Sequence, residues 1–366
     1  YHTTEMARES LRDAMDVHGG KGIVLGPRNY LGRGWQSIPV SITVEGANIL
    51  TRNLMIFGQG AIRCHPYVLK EMEAARIENT HERVTKFDAT LFAHIGYSIR
   101  NAVRSLVLGL SFGKFASVPH DRKTAKYYKK LSRYSASLAF MSDVSMLVLG
   151  GKMKQKEHLS ARLGDVLSYL YICSAMLKRF EAQGRPAADQ AILAWAFHSY
   201  IHKTQIALQK VVDNFPARWM RPFIGFVVFP FGRREKAPGD RLTHRVAQLL
   251  LSPSDTRNRL CQGEFCSADS DHPVSIMEQA LPKVIQAEPL ERKLLKAHKS
   301  GEIEGITWEE QLKDAVSKSV LSVEEAKILA EVRELVLEII AVDEFESEEL
   351  AVGRKPQPPV DTQHAA

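Results

Sequence analysis

Apolar residues recur at spacings of three and four along most of the chain, which is the pattern of amphipathic helices. The helices that this spacing predicts cover residues 5–15, 48–57, 66–76, 84–112, 122–149, 157–183 and 187–213. Glycine and proline interrupt the pattern, and the breaks are predicted at 113–120, 150–154 and 184–186. Strand-like alternation is nearly absent, because the one short apolar run at 224–229 is isolated. The chain is therefore predicted to be all-α.

The C-terminal third of the chain differs in amino-acid composition and predicted structure. Residues 238–270 are richer in Ser, Pro and Asp and are predicted to be extended. The helices predicted after them cover 274–286, 289–299, 307–317 and 322–342. Ser322 opens Ser-Val-Glu-Glu, which is a capping-box pattern. Pro39 and Pro66 are predicted to mark helix boundaries.

Glu45 is the only acidic side chain between Asp16 and Glu71. It lies among β-branched and apolar residues, and Gly46 follows it directly. A lone carboxylate in apolar surroundings has a raised pKa, which suits a general base that works near neutral pH. The alternative interpretation is a surface glutamate at the start of a helix.

A glycine-rich turn, Asp16-Val-His-Gly-Gly-Lys-Gly-Ile23, lies upstream of Glu45. Its glycines permit positive φ angles and let the backbone approach a ligand closely. Backbone N–H groups that such a turn exposes can hold a pyrophosphate. Alternatively, the turn is only a helix C-cap.

Together, these two features resemble the C-terminal domain of the acyl-coenzyme A dehydrogenases. In that family a Gly-Gly-x-Gly turn precedes a catalytic Glu-Gly, and the same order and spacing occur here. The runs Glu45–Pro66 and Ser160–Ser168 resemble the large bacterial subgroup that degrades fatty acids. The resemblance, with the subgroup's helical extension, covers nearly the whole chain.

The resemblance implies a flavin-dependent reaction that converts acyl-coenzyme A into the trans-2-enoyl thioester, the first step of fatty-acid β-oxidation. It makes Glu45 the catalytic base, and it places Glu45 and Gly46 against the substrate. It assigns Gly19, Gly20 and Gly22 to the FAD of a partner subunit. An electron-transfer flavoprotein would accept the electrons, and the enzyme would be a homodimer or larger.

Three further positions fall on flavin contacts of the family but carry other residues. Asp16 stands where the family usually has Gln, Ala47 replaces a Thr, and Ile49 stands where Gln is common. By position, the resemblance still assigns Asp16, Ala47 and Ile49 to the FAD site, with side chains that differ from the family's usual ones.

The resemblance also organises the chain. Residues 1–75 are predicted to be the end of the catalytic helical bundle. Residues 76–240 form a basic helical extension that contains a Phe-rich segment at 215–232. Residues 241–343 form the second part of the extension, and residues 344–366 a disordered tail.

Charge is distributed unevenly. Residues 61–240 carry 28 Lys/Arg against 14 Asp/Glu, whereas residues 241–366 carry 15 against 23. A basic middle suggests an anionic partner such as a phospholipid surface, the coenzyme A phosphates or nucleic acid. Tyrosines alternate with cations in the Lys123–Arg133 region, but a solvated helix face explains this better than nucleic acid, which we do not expect as a partner.

The four cysteines, Cys64, Cys173, Cys261 and Cys266, have no Cys-x-x-Cys spacing and are expected to be free thiols in a reducing cytoplasm. No apolar run reaches the roughly 18 residues of a membrane-spanning helix. The chain begins at Tyr1, without Met, inside a predicted helix. We therefore expect a C-terminal fragment of a longer bacterial protein that is inactive alone.

Two other patterns are weighed against plain structural roles. His198 and His202 have the spacing of a two-histidine metal face, but no third ligand is evident, so no metal is predicted and both are expected to be structural. Gly150-Gly-Lys lacks the rest of a P-loop and is expected to end a helix.

The Phe-rich segment holds Trp219 and five phenylalanines, with arginines at intervals. Such a segment can lie in a bilayer interface, or it can pack into the helical core. It supports the alternative hypothesis of a non-catalytic module that docks the enzyme to membranes or partners.

Overall fold

We describe the chain from a computed structural model, which covers residues 1–44, 47–119, 123–263 and 272–349. Within these ranges every regular element is a helix, which confirms the all-α prediction. Contacts between Cα atoms divide the chain into two compact units. Unit 1 combines Tyr1–Glu5 with the described part of 40–264, and unit 2 combines Met6–Pro39 with the described part of 265–366.

The α-helices are numbered in chain order. They are α1 His2–His18, α2 Gly20–Ile23, α3 Gly32–Thr43, α4 Asn48–Leu50, α5 Gly60–Cys64, α6 Val68–Ala74, α7 Thr80–Leu110, α8 Ala125–Leu149, α9 Glu157–Ala182, α10 Gln190–Asp213, α11 Arg221–Val228, α12 Asp240–Leu250, α13 Asp255–Leu260, α14 Pro273–Lys299, α15 Trp308–Ser317 and α16 Val323–Ile340. A π-helical segment, Thr51–Gln59, joins α4 to α5.

The core of unit 1 forms where α8, α9 and α10 pack together, with α7 and α11 against them. Its most buried side chains include Tyr134, Met141, Leu163, Phe197 and Leu208. The helices stop where glycine supplies a left-handed conformation, as Gly184 does after α9 with φ 78°. Short connections of this kind bring α9 and α10 into an antiparallel pair.

The core of unit 2 forms where α14 packs on α15 and α16. Both later helices begin with a capping box. Thr307 accepts a hydrogen bond from the Glu310 amide, and Ser322 accepts one from the Glu325 amide, while each glutamate bonds back to the cap residue. The capping box predicted at Ser322 is thereby confirmed.

Pro66 lies between α5 and α6, as predicted for a helix boundary, but the boundaries predicted at Pro39 and before Pro289 were wrong. Pro39 lies inside α3, and α14 continues through Pro282 and Pro289 as one helix instead of two. A proline in a helix interior costs about 3 kcal/mol, so packing has to offset it. In α14 the buried residues Ala280, Ala287 and Leu294 recur at intervals of seven across both prolines, and this apolar stripe keeps the helix intact.

The prediction of extended structure over 238–270 was also wrong where the chain is described. Residues 240–250 and 255–260 form α12 and α13. Ser254 caps α13 by accepting a hydrogen bond from the Arg257 amide at 3.1 Å. No helix in the described ranges is long and apolar enough to cross a membrane.

Candidate functional site

Glu45 and Gly46, the proposed base and its glycine, lie outside the described residues. The helix before them, α3, ends at Thr43. The helix after them, α4, begins at Asn48, and Ala47 precedes it with φ −53° and ψ 144°. Ala47 is half-buried and Ile49 exposed. The roles of Glu45, Gly46, Ala47 and Ile49 stay predictions.

The helix that follows Glu45 is unusual, because nine of its residues, Thr51–Gln59, are π-helical. π-Helical stretches are rare and occur often at functional sites. Phe57 and Gly58 are buried within this segment, which therefore packs into unit 1 instead of lying on its surface.

Arg52, in the π-helical segment, is held by Asp165 of α9. Its Nε donates to Asp165 Oδ1 at 2.7 Å, and its Nη2 donates to Oδ2 at 2.6 Å. These hydrogen bonds to the Asp165 carboxylate raise the pKa of Arg52. The Tyr1 hydroxyl donates to the same Oδ1 atom. Burial is the main cause that raises the pKa of Tyr1, and the hydrogen bond to Asp165 and its negative charge raise it further. A two-point ion pair with a buried carboxylate fixes both position and orientation.

Close packing supports this pair. A Cβ atom at Gly164 of α9 would lie 3.2 Å from the Arg52 carbonyl oxygen, so the absence of a side chain lets the two helices approach. A Cβ atom at Gly58 would lie 3.2 Å from the Ser160 hydroxyl oxygen. The two sequence runs that carried the family resemblance, 45–66 and 160–168, are thus in direct contact.

The glycine turn belongs to unit 2. Gly19 has φ 56°, in the left-handed region, and ends α1. Gly19 and Gly20 are exposed, and so is Asp16. Gly22 differs, because it is buried and a Cβ atom there would meet the Met15 carbonyl oxygen at 3.0 Å. A Cβ atom at Gly19 would meet open space, one at Gly20 would meet the Val342 side chain at 3.4 Å, and Gly22 allows the turn to pack.

Contacts with the end of α16 hold the turn in place. The buried Lys21 donates to the Ile339 carbonyl at 2.6 Å, which caps the helix C-terminus. Burial, opposed by Asp343, lowers the pKa of Lys21. Asp343 Oδ1 accepts a hydrogen bond from the Arg28 amide at 2.8 Å, and a Cβ atom at Gly26 would collide with Asp343 Cγ at 2.3 Å.

A buried polar cluster in unit 1 was not predicted. His65 Nε2 lies 2.8 Å from Asp143 Oδ1, and His94 Nδ1 lies 2.7 Å from Glu71 Oε1. His94 Nε2 approaches the same Asp143 oxygen at 3.7 Å. Tyr67 stacks on His94 with ring centroids 5.6 Å apart. The sequence signal was Asp143 itself, an acid within the apolar stretch of α8.

Ligand atoms of His65, His94 and Asp143 lie within 4.8 Å of one another, as a metal site requires. However, His65 Nδ1 accepts hydrogen bonds from the amides of Tyr67 and Val68, both at 3.2 Å. The proton of a neutral His65 must then be on Nε2, which donates it to Asp143. A metal on Nε2 would require loss of this proton, so the geometry favours a hydrogen-bonded joint between α6, α7 and α8.

His198 and His202, whose spacing is that of a two-histidine metal face, contact other parts of the fold. His202 Nδ1 lies 2.9 Å from the Glu235 carbonyl oxygen. His198 is half-buried beside Tyr127, and burial, followed by the nearby charge of Lys130, lowers its pKa. These contacts account for both rings as parts of the fold. Gly150, with φ 49°, follows the last residue of α8, as expected for a helix stop.

The Phe-rich segment has two faces. Phe215, Ile224 and Phe229 are buried in the core of unit 1, whereas Trp219 is 82% exposed and Phe226 54% exposed. We use the name aromatic surface for the exposed aromatic side chains of this segment, Trp219, Phe223, Phe226 and Phe231, together with Phe112, which stacks on Phe231. Arg234 lies over the rings of Phe112 and Phe231, which stack with centroids 5.4 Å apart.

A family model described as acyl-CoA dehydrogenase, C-terminal, bacterial type matches residues 62–345. This match confirms the resemblance that the sequence motifs indicated. The matched range begins after Glu45 and the glycine turn. No solved structure matches the chain.

Proposed function

Because the chain belongs to the bacterial-type acyl-CoA dehydrogenase family, we propose that it is the C-terminal part of an enzyme that removes two hydrogens from acyl-CoA. The product is the trans-2-enoyl thioester, as in the first step of fatty-acid β-oxidation. The family match over residues 62–345 carries this proposal. Glu45, whose sequence surroundings fit the family's base, supplies the chemistry.

In the proposed reaction the Glu45 carboxylate removes the α-proton of the thioester. That proton becomes acidic only if the thioester carbonyl accepts hydrogen bonds, since these stabilise the negative charge that develops on its oxygen. The Glu45 backbone N–H is proposed as one such donor. Gly46, with no side chain, leaves room for the substrate beside it.

Arg52 acts as a positioning residue for this base. It lies seven positions after Glu45 and is fixed to Asp165 by hydrogen bonds of 2.7 and 2.6 Å. Asn48 adds a second anchor, because its Nδ2 donates to Thr4 Oγ1 at 2.9 Å and to Glu5 Oε1 at 3.0 Å. A base must hold its carboxylate within a fraction of an ångström of the reacting geometry. The anchored helix that follows Glu45 supports such precision.

The residues of the glycine turn fit an FAD in part. Gly19 and Gly20 are exposed and would hold the dinucleotide through their backbone. Gly22 contributes by letting the turn pack on Met15. Asp16 is exposed, and its charge would have to point away from a phosphate. FAD supplies a hydride acceptor when bound.

Partners follow from the same proposal. The electrons are proposed to leave through an electron-transfer flavoprotein, and the subunit is proposed to work as a homodimer or larger oligomer in the cytoplasm. An outer face of α7 supports self-association, because it presents six exposed apolar side chains at helical spacing, namely Phe92, Ile95, Ile99, Val103, Val107 and Leu110.

Product analysis tests the proposed reaction. Enzyme purified with its upstream polypeptide, supplied with FAD, saturated acyl-CoA and a one-electron acceptor, should yield a thioester that has lost two hydrogens. Residues 1–366 alone should yield none, because most flavin contacts of the family lie upstream. If the longer enzyme forms no enoyl thioester from acyl chains of any length, the proposal is wrong.

The aromatic surface favours a second role, which is docking on an anionic membrane. Exposed aromatic rings suit the bilayer interface, and arginines suit anionic headgroups. Arg218, Arg233 and Arg234 are exposed, and Arg234 lies over two of these rings. This charge complementarity selects a lipid surface over an apolar protein partner.

Flotation with anionic vesicles tests this role. Replacing Phe223 and Phe226 with Asp should abolish binding and preserve helicity, because both side chains are exposed. Phe229→Asp is the matched comparison, since Phe229 is only 8% exposed and its change should unfold unit 1. Undiminished vesicle binding by the folded double variant would exclude the aromatic surface.

A further inference from the structure

A groove of about 590 Å³ lies between α9 and α10 in unit 1. Its lining repeats along one face of each helix, with His158, Arg162, Asp165 and Tyr169 on α9. On α10 the lining runs from His202 to Lys210, a length of roughly 12 Å at 1.5 Å per residue, and Asn214 lines the groove just after this helix ends. The volume falls in the range of sites that take small molecules.

Basic residues dominate this lining. They are Arg52, His158, Arg162, His202, Lys203 and Lys210. Among the described residues that line the groove, Asp165 is the one carboxylate, and Arg52 already neutralises it. We call this site the basic groove.

Three cations of the basic groove have no acidic partner. Within the described ranges, no carboxylate oxygen lies within 4.0 Å of a nitrogen of Arg162, Lys203 or Lys210. Lys203 instead lies over the Tyr200 ring at 5.0 Å. Gathering three unneutralised cations around one concave surface costs free energy unless an anion is bound there.

A neighbouring histidine, His2, adds no positive charge to the groove. The His2 ring centroid lies 4.9 Å from that of Tyr169, a lining residue. Burial is the main cause that lowers the pKa of His2 to about 4; Asp165 opposes the shift, and the amine of Tyr1, Lys203 and Arg52 add smaller contributions in the lowering direction. His2 therefore remains neutral at physiological pH, and the positive charge of the groove stays on its arginines and lysines.

We propose that the basic groove binds a small soluble ligand with at least two phosphate groups, through Arg162, Lys203 and Lys210. One phosphate monoester carries about −1.5 to −2 charges at pH 7, so a diphosphate matches the three cations, whereas a single carboxylate does not. Arg and Lys are the side chains that bind phosphate most strongly. The concave shape, with cations on two facing helices, suits a small molecule better than a flat membrane.

Calorimetric titration of residues 1–366 at low salt tests this proposal. Pyrophosphate, coenzyme A, 3′-dephospho-coenzyme A and anionic phosphatidylglycerol vesicles serve as separate probes. Saturable one-to-one binding of a soluble probe is expected. Tighter binding of coenzyme A than of its dephospho form would assign the ligand to the coenzyme, whereas equal affinities would assign it to a simpler diphosphate. Both results support the groove.

Variants locate the binding. The double variant Lys203→Gln/Lys210→Gln should weaken soluble binding at least about tenfold, and Arg162→Gln should do the same. Lys178→Gln/Lys299→Gln removes the same charge from exposed positions outside the groove and should change affinity less than about twofold. Circular dichroism checks that each variant is folded. Equal weakening by both double variants, no saturable binding, or binding to vesicles alone would overturn the proposal.

Discussion

Arg52 and Asp165 are 113 positions apart in the sequence, yet their side chains share two hydrogen bonds of 2.7 and 2.6 Å. The pair joins the helix that follows Glu45 to the centre of α9. Gly164, the residue before Asp165, makes the contact possible by leaving space for the Arg52 carbonyl. Both residues lie in the sequence runs that resembled the same family subgroup.

Asp165→Asn should destabilise unit 1, because it removes the negative charge of a largely buried pair and replaces one of the two acceptor oxygens with an amide group that cannot accept from Arg52. Asp165 has a side-chain exposure of 11%, while Arg52 has 37%. The expected loss is therefore about 2 kcal/mol, between the values for exposed and buried pairs. Urea denaturation followed by circular dichroism measures it. Asp13→Asn breaks a pair in which both side chains are exposed and should have almost no effect. Similar losses of unfolding free energy in both variants would show that the Arg52–Asp165 pair contributes no more to stability than an exposed pair.

Asp189 should give unit 1 a defined pH dependence. Arg259 and Thr256 donate hydrogen bonds to its carboxylate and lower its pKa, and the bond from Arg259 has the larger effect. A lowered pKa means that the stabilisation is present above the unfolded value of about 3.9 and is lost as pH falls through the folded pKa. The wild type should exceed Asp189→Asn in stability at pH 6, and the difference should shrink below about pH 4.

Urea titrations of both proteins from pH 6 to pH 3 measure this difference. Asp88→Asn, at an exposed position of α7, provides the control and should track the wild type throughout. A constant difference between wild type and Asp189→Asn across this range would contradict the assignment.

Gly26→Ala should destabilise unit 2, because the new methyl group would overlap Asp343, whose Cγ lies 2.3 Å from the Cβ position. We expect a loss of about 1–3 kcal/mol. Gly96→Ala is a suitable control, since Gly96 is exposed in α7 with no atom near the new methyl group, and alanine should stabilise that helix by up to about 1 kcal/mol. Thermal unfolding separates the two. An unchanged unfolding temperature in Gly26→Ala would contradict the close packing of Asp343 against Gly26.

Cys173 should resist thiol reagents. It is fully buried, and burial raises the pKa of its thiol to about 12, so almost no thiolate is present at pH 8. Cys64 and Cys261 are exposed and should react. In a Cys266→Ser background, native protein should release two equivalents of chromophore from a disulfide reagent, and denatured protein three. A rapid third equivalent from native protein would contradict the buried position.

Periodicity predicted the helical class and most of the long helices, because their apolar stripes determine which faces are buried. Periodicity failed where a structure depends on a side chain that lies outside the helix in question. Helix α3 was missed because its start depends on Asn29, whose Oδ1 accepts the Gly32 amide at 2.8 Å. A break was predicted before Pro289 of α14, because the packing that keeps this helix intact involves α16, which lies further along the chain.

The candidate site was accessible from the sequence only in part. Glu45 and the glycine turn were found through motifs, since their residue types and order are distinctive. The Arg52–Asp165 pair and the His65–Asp143 contact were not found, because each joins elements more than 70 positions apart. Spacing rules describe neighbours on one helix and carry no information about such pairs.

The most direct test of the central claim is flavin reduction by Glu45→Gln, compared with the wild type, in the enzyme with its upstream polypeptide. The amide is isosteric, so the fold, the bound flavin and acyl-CoA binding should be unchanged. Rapid mixing with acyl-CoA should reduce the flavin about 10²–10⁴-fold more slowly, because no positioned group removes the α-proton. Reduction at a near-normal rate would contradict the account and place the base on another residue.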